Sequence, residues 1–277
     1  MYMVTPFCWP PSIELIMFPL LLLILILLLV PAVFVLQRKV KQQRREQLMQ
    51  SPPPGHWFGT LKKTLPMVKK LSSNHWKQLA GLMQVFLAEK KFEGCGGLEV
   101  TEEMKVTVAA QACMLLLGRN AQVYPRLKTV LLYPHTYTDG EAARLGESWN
   151  TGAVVLSWDS VKGGARNFKD GHNVTFHEFA HQLDQEDGVA DGVPILGENN
   201  AYQTWARVFR HEFEHLVEET DRGHKDVMDA YGATNPAEFF AVVTETFFEK
   251  PRQLKNKHPE LFERLRNYYK VDPEEWI

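Results

Sequence analysis

Cysteine is scarce in this chain: Cys8, Cys95 and Cys113 are the only three in 277 residues. An odd count without regular spacing excludes a disulfide framework and fits a reducing compartment. Cys113 lies in an apolar helical stretch and reads as a small core residue, and Cys95, beside Gly94, Gly96 and Gly97, as part of a turn. Excess charge is missing too. The 31 Lys and Arg are matched by 33 Asp and Glu, a net of −2, which excludes a basic nucleic-acid surface; no direct nucleic-acid binding is expected. There is no low-complexity tract and no repeat with a period of roughly 20–50 residues. What remains is the composition of a globular domain, with one addition at the N-terminus.

No Lys or Arg occurs before Arg38. From Leu15 to Leu36, 22 residues carry no charge, and as a helix they reach roughly 33 Å, enough for a bilayer core. A cleaved signal peptide fits poorly. The apolar run is too long for an h-region, the segment before it is not basic, and no A-x-A-like site follows. The expectation is a tail over 1–14 and a single transmembrane helix over 15–36. Arg38, Lys39, Lys41, Arg44 and Arg45 follow it. Positive flanks stay inside, so the bulk of the chain should be cytoplasmic, anchored in the inner or plasma membrane. The basic cluster also suits anionic headgroups, although a stop-transfer flank explains it equally. Ser51-Pro52-Pro53-Pro54-Gly55 stops a helix. The basic and Pro-rich stretch 37–55 therefore reads as a linker, and 56–277 as one folded domain.

Within that domain, Leu61, Leu65 and Val68, then Leu79, Leu82, Val85 and Phe86, recur at helical spacing from Trp57 to Phe92. Thr101-Glu102-Glu103 resembles a helix start leading into the apolar stretch Val106–Leu117, which Gly118 ends. Two runs, Thr129–Tyr133 and Ala153–Trp158, look like buried strands of a small sheet. The second could offer an edge that holds an extended peptide by backbone pairing, or it could be an interior strand. Gly163–Gly171 reads as a loop, Asp187–Asn200 as an irregular segment suited to a cleft wall, and Ala201–Glu219 as a long helix. The fold class is α+β and mostly helical.

The loop at Gly171 delivers the chain to Asn173–Gln185, NVTFHEFAHQLDQ. His177-Glu178-Phe179-Ala180-His181 is an H-E-x-x-H. On a helix, positions i and i+4 share a face, so both imidazoles can reach one ion. Two His with an oxygen ligand suit Zn²⁺ and leave a position for water. Glu178 can take that water's proton without ligating the ion. Val174, Phe176, Phe179, Ala180 and Leu183 make this helix apolar, and buried His needs partners. A second H-E-x-x-H, His211 to His215, has different surroundings. Arg210, Glu212, Glu214, Glu218, Glu219, Asp221 and Arg222 crowd it, and His211, His215, Glu218 and Arg222 share a polar face that reads as solvated.

A third ligand is needed, and no His lies between His224 and His258. Asn235 is a good N-cap and Pro236 suits the first helical position. Glu238 then sits at N3 of an aromatic helix, either as the ligand or as a capping-box carboxylate turned back to the N-cap amide. Glu245, two turns on, is a ligand or a carboxylate that orients His177 or His181. Tyr231 is either an ordinary packed or surface Tyr or a phenol that donates to a developing oxyanion.

NVTFHEFAHQLDQEDGVADGVPIL and DAYGATNPAEFFAVVTETFF, with VAAQACMLLLG, TVLLYPHTY and GAVVLSW upstream, resemble the Mlc titration factor A family of zinc-dependent peptidases. The likeness spans about Trp57 to Pro273; the apolar N-terminal run lies outside it. It implies a zincin-like fold with one zinc per chain. It implies His177, His181 and Glu238 as zinc ligands, Glu178 as the catalytic Glu and Tyr231 as an active-site residue. The implied activity is hydrolysis of peptide bonds in peptide or protein substrates, aminopeptidase-like on small ones. One family member also binds the glucose repressor Mlc. The alternative is therefore a regulatory protein that sequesters a transcription repressor and has weak peptidase activity.

Overall fold

The computed structural model describes residues 13–119, 122–135, 137–138, 143–144, 146–149, 152–197 and 201–276. The chain divides into two compact units, Met1–Gln50 and Ser51–Ile277. The first holds helix α1, Ile13–Gln50, 38 residues long. Among its described apolar side chains, Leu22, Leu25, Leu29, Phe34 and Leu36 are exposed. α1 continues through the basic stretch and stops at Gln50, before the three prolines. The expected tail, 1–14, lies outside the described residues but for its last two. The expected membrane span, 15–36, falls partly on positions whose side chains lie outside them; among the described residues no helix is long and apolar enough to cross a membrane.

The second unit opens with α2, Gly55–Thr64, and α3, Ser73–Glu89, followed by β1, Lys91–Gly94, and α4, Glu102–Met114. Thr101 caps α4 by accepting the Met104 amide, and every residue from Val106 to Met114 is buried. Cys113 is among them, its thiol pushed far up by burial. Then come β2, Thr129–Tyr133; β3, Tyr137–Thr138; β4, Ala143–Arg144; β5, Gly146–Trp149; and β6, Ala153–Ser157. β1, β2 and β6 are parallel, in the order β1-β2-β6-β5, and β5 closes the sheet antiparallel to β6. β6 is thus interior, paired on both sides, and the edges belong to β1 and β5.

α5, Trp158–Arg166, leads to α6, Val174–Asp184. The stretch from Gly163, expected as loop, begins as the last turns of α5. The reason is packing. A Cβ on Gly164 would lie 2.8 Å from the Asn173 side chain, so only glycine lets the start of α6 approach. α6 is the centre of the unit. Phe179 packs on Phe86 of α3 and on Tyr124, and Phe176 on Phe248. Phe176, Phe179, Ala180 and Leu183 are fully buried. Truncating either Phe to Ala would cost roughly 3–5 kcal/mol.

The remaining helices are α7, Ala201–Asp221; α8, Pro236–Glu249; α9, Pro251–Lys257; and α10, Pro259–Tyr269. α8 is buried from Phe239 to Glu249 and packs along α6. On α7, His211 and His215 are exposed, as the charge pattern implied. Glu212 is not part of that solvated face. It is buried, and its Oε2 lies 2.7 Å from His258 Nδ1, while His258 Nε2 lies 3.0 Å from Asp226 Oδ1. This buried trio ties α7 and the turn after it to the start of α10.

Burial alone would lower the His258 pKa, but bonds to Asp226 and Glu212 overcome it and raise the value to about 9. A folded pKa above the unfolded value means that the pair stabilises fully below about pH 6.5. That stabilisation is lost as the pH rises through about 9. The difference in urea midpoint between wild type and His258→Gln should therefore be largest near pH 6 and shrink steadily toward pH 10.

Candidate metal centre

α6 starts on a cap made of side chains from two helices. Asn173 Oδ1 accepts the Phe176 amide at 3.1 Å. The Asn173 amide itself donates to Glu245 Oε2 on α8. One turn further on, Glu249 accepts the Gly171 amide at 2.9 Å and Asn173 Nδ2 at 3.1 Å. Asn173 thus meets one orphan donor of α6, and two buried acids of α8 hold Asn173 and the Gly171 backbone before it in place. Burial, partly offset by the Asn173 bond, pushes the Glu249 carboxyl up to about 8.

With α6 held in this way, its His pair faces the first turn of α8. His177 Nε2 lies 2.9 Å from Glu238 Oε2, His181 Nε2 lies 3.3 Å from the same oxygen, and the two Nε2 atoms are 3.2 Å apart. Among the described residues this is the group of His, Cys and acidic side chains suited to holding a metal ion. Its triangle matches one face of a tetrahedron: ligands about 2.0–2.1 Å from a zinc ion stand roughly 3.3 Å from each other. The donor set, two imidazoles and one carboxylate, fits zinc and leaves the fourth direction open.

Glu238 is fixed by its backbone: Asn235 Oδ1 accepts the Glu238 amide at 3.0 Å, and Pro236 occupies the first helical position. Its carboxylate turns to the His pair, not back to the cap. Glu245 stands behind the pair. Its Oε1 accepts from His177 Nδ1 at 2.8 Å, which leaves Nε2 directed at the cluster. Glu178, on the same helix, is buried. Tyr231 sits in the 3₁₀ turn Ala230–Ala233, its amide donating to Asp229 Oδ1 at 2.8 Å. Its ring is 5.9 Å from that of His177 and 54% exposed. Asp184, near the end of α6, accepts the Gly192 amide at 3.0 Å. Trp205 of α7 donates to the Gly192 carbonyl, so the irregular segment is pinned beside the centre.

Among the described residues the His211 pair meets no such partner, and the sequence reading missed Asn173, Glu249 and Asp184. For Glu249 a signal was present: an acid beside Phe247 and Phe248 on a mostly apolar helix must have a partner.

The electrostatics call for a cation. Burial would depress the His177 pKa, yet bonds to Glu238 and Glu245 raise it to about 10. Burial would raise Glu238, yet His177 and His181 bring it to about 2. Without metal, then, a proton neutralises the acids at His177. A divalent ion must displace it, so binding at pH 8 should release about one proton, measured as the dependence of calorimetric heat on buffer ionisation enthalpy. Glu245→Ala, which frees the far side of His177, should weaken metal affinity by roughly 10–100-fold.

A family model described as glucose-regulated metallo-peptidase M90 matches residues 39–270. An uncharacterized protein of Synechocystis sp. is 43% identical over 234 residues, covering 79% of this chain and 85% of that one. Mlc titration factor A of Serratia proteamaculans is 29% identical over 226 residues, covering 76% of this chain and 85% of its own length; that of Yersinia pestis is 27% identical, covering 76% and 82%. With its His-His-Glu cluster on the page and the match running from α1 to α10, this chain belongs to the M90 family of metallopeptidases, alongside the Mlc titration factors.

Proposed function

We propose that the protein is a membrane-anchored, zinc-dependent peptidase whose centre is His177, His181 and Glu238, with Glu178 as general base. The observation that carries this reading is the triangle of two Nε2 atoms and one carboxylate oxygen, with a buried Glu on the same helix as the His pair. A zinc ion held there would lower the pKa of a water molecule and polarise the scissile carbonyl. Glu178 takes the proton of the attacking water and passes it to the leaving amine, so that an amide and a water become a carboxylate and an amine. Tyr231, half exposed beside His177, offers its hydroxyl to the carbonyl oxygen as negative charge grows there. Glu245 keeps His177 in the tautomer that presents Nε2. The antiparallel edge strand β5 packs against α6. An extended peptide can add to such an edge through its backbone, which favours the zincin-like reading and peptide or protein substrates.

The apolar run 15–36, its place in α1 and the basic residues that follow it support a single-pass anchor with the peptidase unit in the cytoplasm. After expression in bacterial cells, the full chain should sediment with membranes and resist an alkaline carbonate wash, and a variant lacking residues 1–37 should not. Release of the full chain by carbonate would remove the anchor.

The name Mlc titration factor, carried by two of the relatives, favours a second reading, in which the domain binds a protein such as Mlc and hydrolysis is weak. A partner retained by Glu178→Gln, with no peptide turnover by wild type, would favour it.

For the peptidase, Glu178→Gln should keep zinc and lose about 10²–10⁴-fold in kcat, while Glu238→Ala should lose zinc from a folded protein. His211→Ala serves as the control and should match wild type in both, whereas Glu212→Gln is unsuitable because it disturbs His258. Full activity in Glu178→Gln would sink the mechanism.

A further inference from the structure

A cavity of about 870 Å³ opens between the turn after α4, the start of α7 and the end of α10. None of His177, Glu178, His181 or Glu238 lines it. Its size is that of a small-molecule site. The floor is apolar, with Trp205 and Tyr268 packed edge to face at 5.5 Å and Ile195 beside them. The wall carries three cations, Arg119, Arg264 and Lys270, against one carboxylate, Glu186. Among the described residues none of the three forms an ion pair with a carboxylate. Burial, tempered by Arg119, pushes the Glu186 carboxyl up, toward its neutral form. Like charges gathered on one wall repel one another, and an anion would reverse that.

The gathering is imposed by the backbone. A Cβ on Gly118 would lie 2.3 Å from the Lys270 carbonyl. Lys270 itself is left-handed, with φ of 57°, at the end of α10. This close crossing brings Arg119 and Lys270 together and seats the Arg119 guanidinium 4.2 Å over the Tyr268 ring. Tyr268 is only 8% exposed and its hydroxyl lies against Arg119, while Glu186 Oε1 is buried and, among the described residues, has no hydrogen-bond partner. Buried polar atoms are costly when unpaired. The cations lining the wall, set against a single carboxylate, are the groups that an anion entering the cavity would meet.

We propose that this cavity binds a small organic anion, its carboxylate or phosphate held by Arg119, Arg264 and Lys270 and its ring or short apolar body resting on Trp205 and Tyr268. Such an occupant touches Glu186, on the turn that follows α6, at the opposite end of that helix from the Glu245 clamp.

The test is a calorimetric titration of the full chain, in neutral detergent and stripped of metal by a chelator, with phenyl phosphate and phenylacetate. Benzyl alcohol and benzylamine are the neutral and cationic counterparts. At least one of the anions should bind at one saturable site, and the counterparts at least tenfold more weakly. Arg119→Met and, separately, Lys270→Gly should each weaken that binding at least tenfold, and Tyr268→Phe a few-fold. Glycine suits the left-handed backbone at 270, so the second variant removes a charge without a folding penalty. Equal binding of benzyl alcohol, no saturable binding of either anion, or binding unchanged in both charge variants would overturn the assignment. Binding that survives both but is lost in Glu238→Ala would move the anion to the His–Glu cluster and overturn it equally.

Discussion

One carboxylate holds the centre together. Glu245 lies on a helix buried along nearly its whole length and needs donors. The N-terminus of α6 has amides to satisfy, and the His177 ring has an Nδ1–H to place. Glu245 accepts from both the Asn173 amide and His177 Nδ1. Each group thereby removes the desolvation cost of the other. Glu249 repeats the arrangement one turn on. Together they fix how far α6 has slid along α8, and the first turn of α8 then brings Glu238 to the other nitrogen of the same imidazole. His177 is a crossbar between two acids two turns apart on one helix, about 10.5 Å along its axis.

Much of this was open to a reader of the sequence. Helical spacing marked α3, but the helical reading from Trp57 to Phe92 ran across the break at Leu65 and into β1; the start signal at Thr101 marked α4, the pair of His one turn apart marked the candidate centre, and Asn235-Pro236 marked where α8 begins. Each of these signals is local, set by 3.6-residue periodicity or by cap chemistry. The rest is tertiary. AVVLSW announces a buried strand but not its neighbours, so the edge beside it fell to β5, a strand that no hydrophobic pattern announced. Gly163-Gly164 reads as loop until Asn173 is seen pressing against Gly164. Glu238 could have been a cap or a ligand, and only the position of α6 decides which way its carboxylate turns. For Glu245 the alternatives were just as even, because a residue's spacing says which face it shares and not which side of an imidazole it meets.

The two H-E-x-x-H segments make the same point about motifs. Both lie on helices and both place two His one turn apart. At α6 the His pair faces a buried acid on a neighbouring helix. At α7 the pair faces solvent, and the motif's Glu is turned inward to a third His from elsewhere in the chain. The charge density around each motif pointed to the copy whose His pair faces an acid and away from the copy whose His pair is exposed. It did not reveal that the second Glu had a structural partner, because His258 is 46 residues away.

Glu238 and Glu245 are borne by the same rigid rod, and that rod is wedged among aromatic rings: Phe239 against Phe209 and Phe213, Phe240 against Trp205 and Tyr268, Phe248 against Phe176 and Tyr269. The spacing between the two acids is invariant, but the rod's tilt and depth are set by those rings. Resizing one of them, far from any imidazole, would shift both oxygens in concert and change their distances to the His177 and His181 nitrogens. In this architecture the oily interior acts as the calibration screw of the centre.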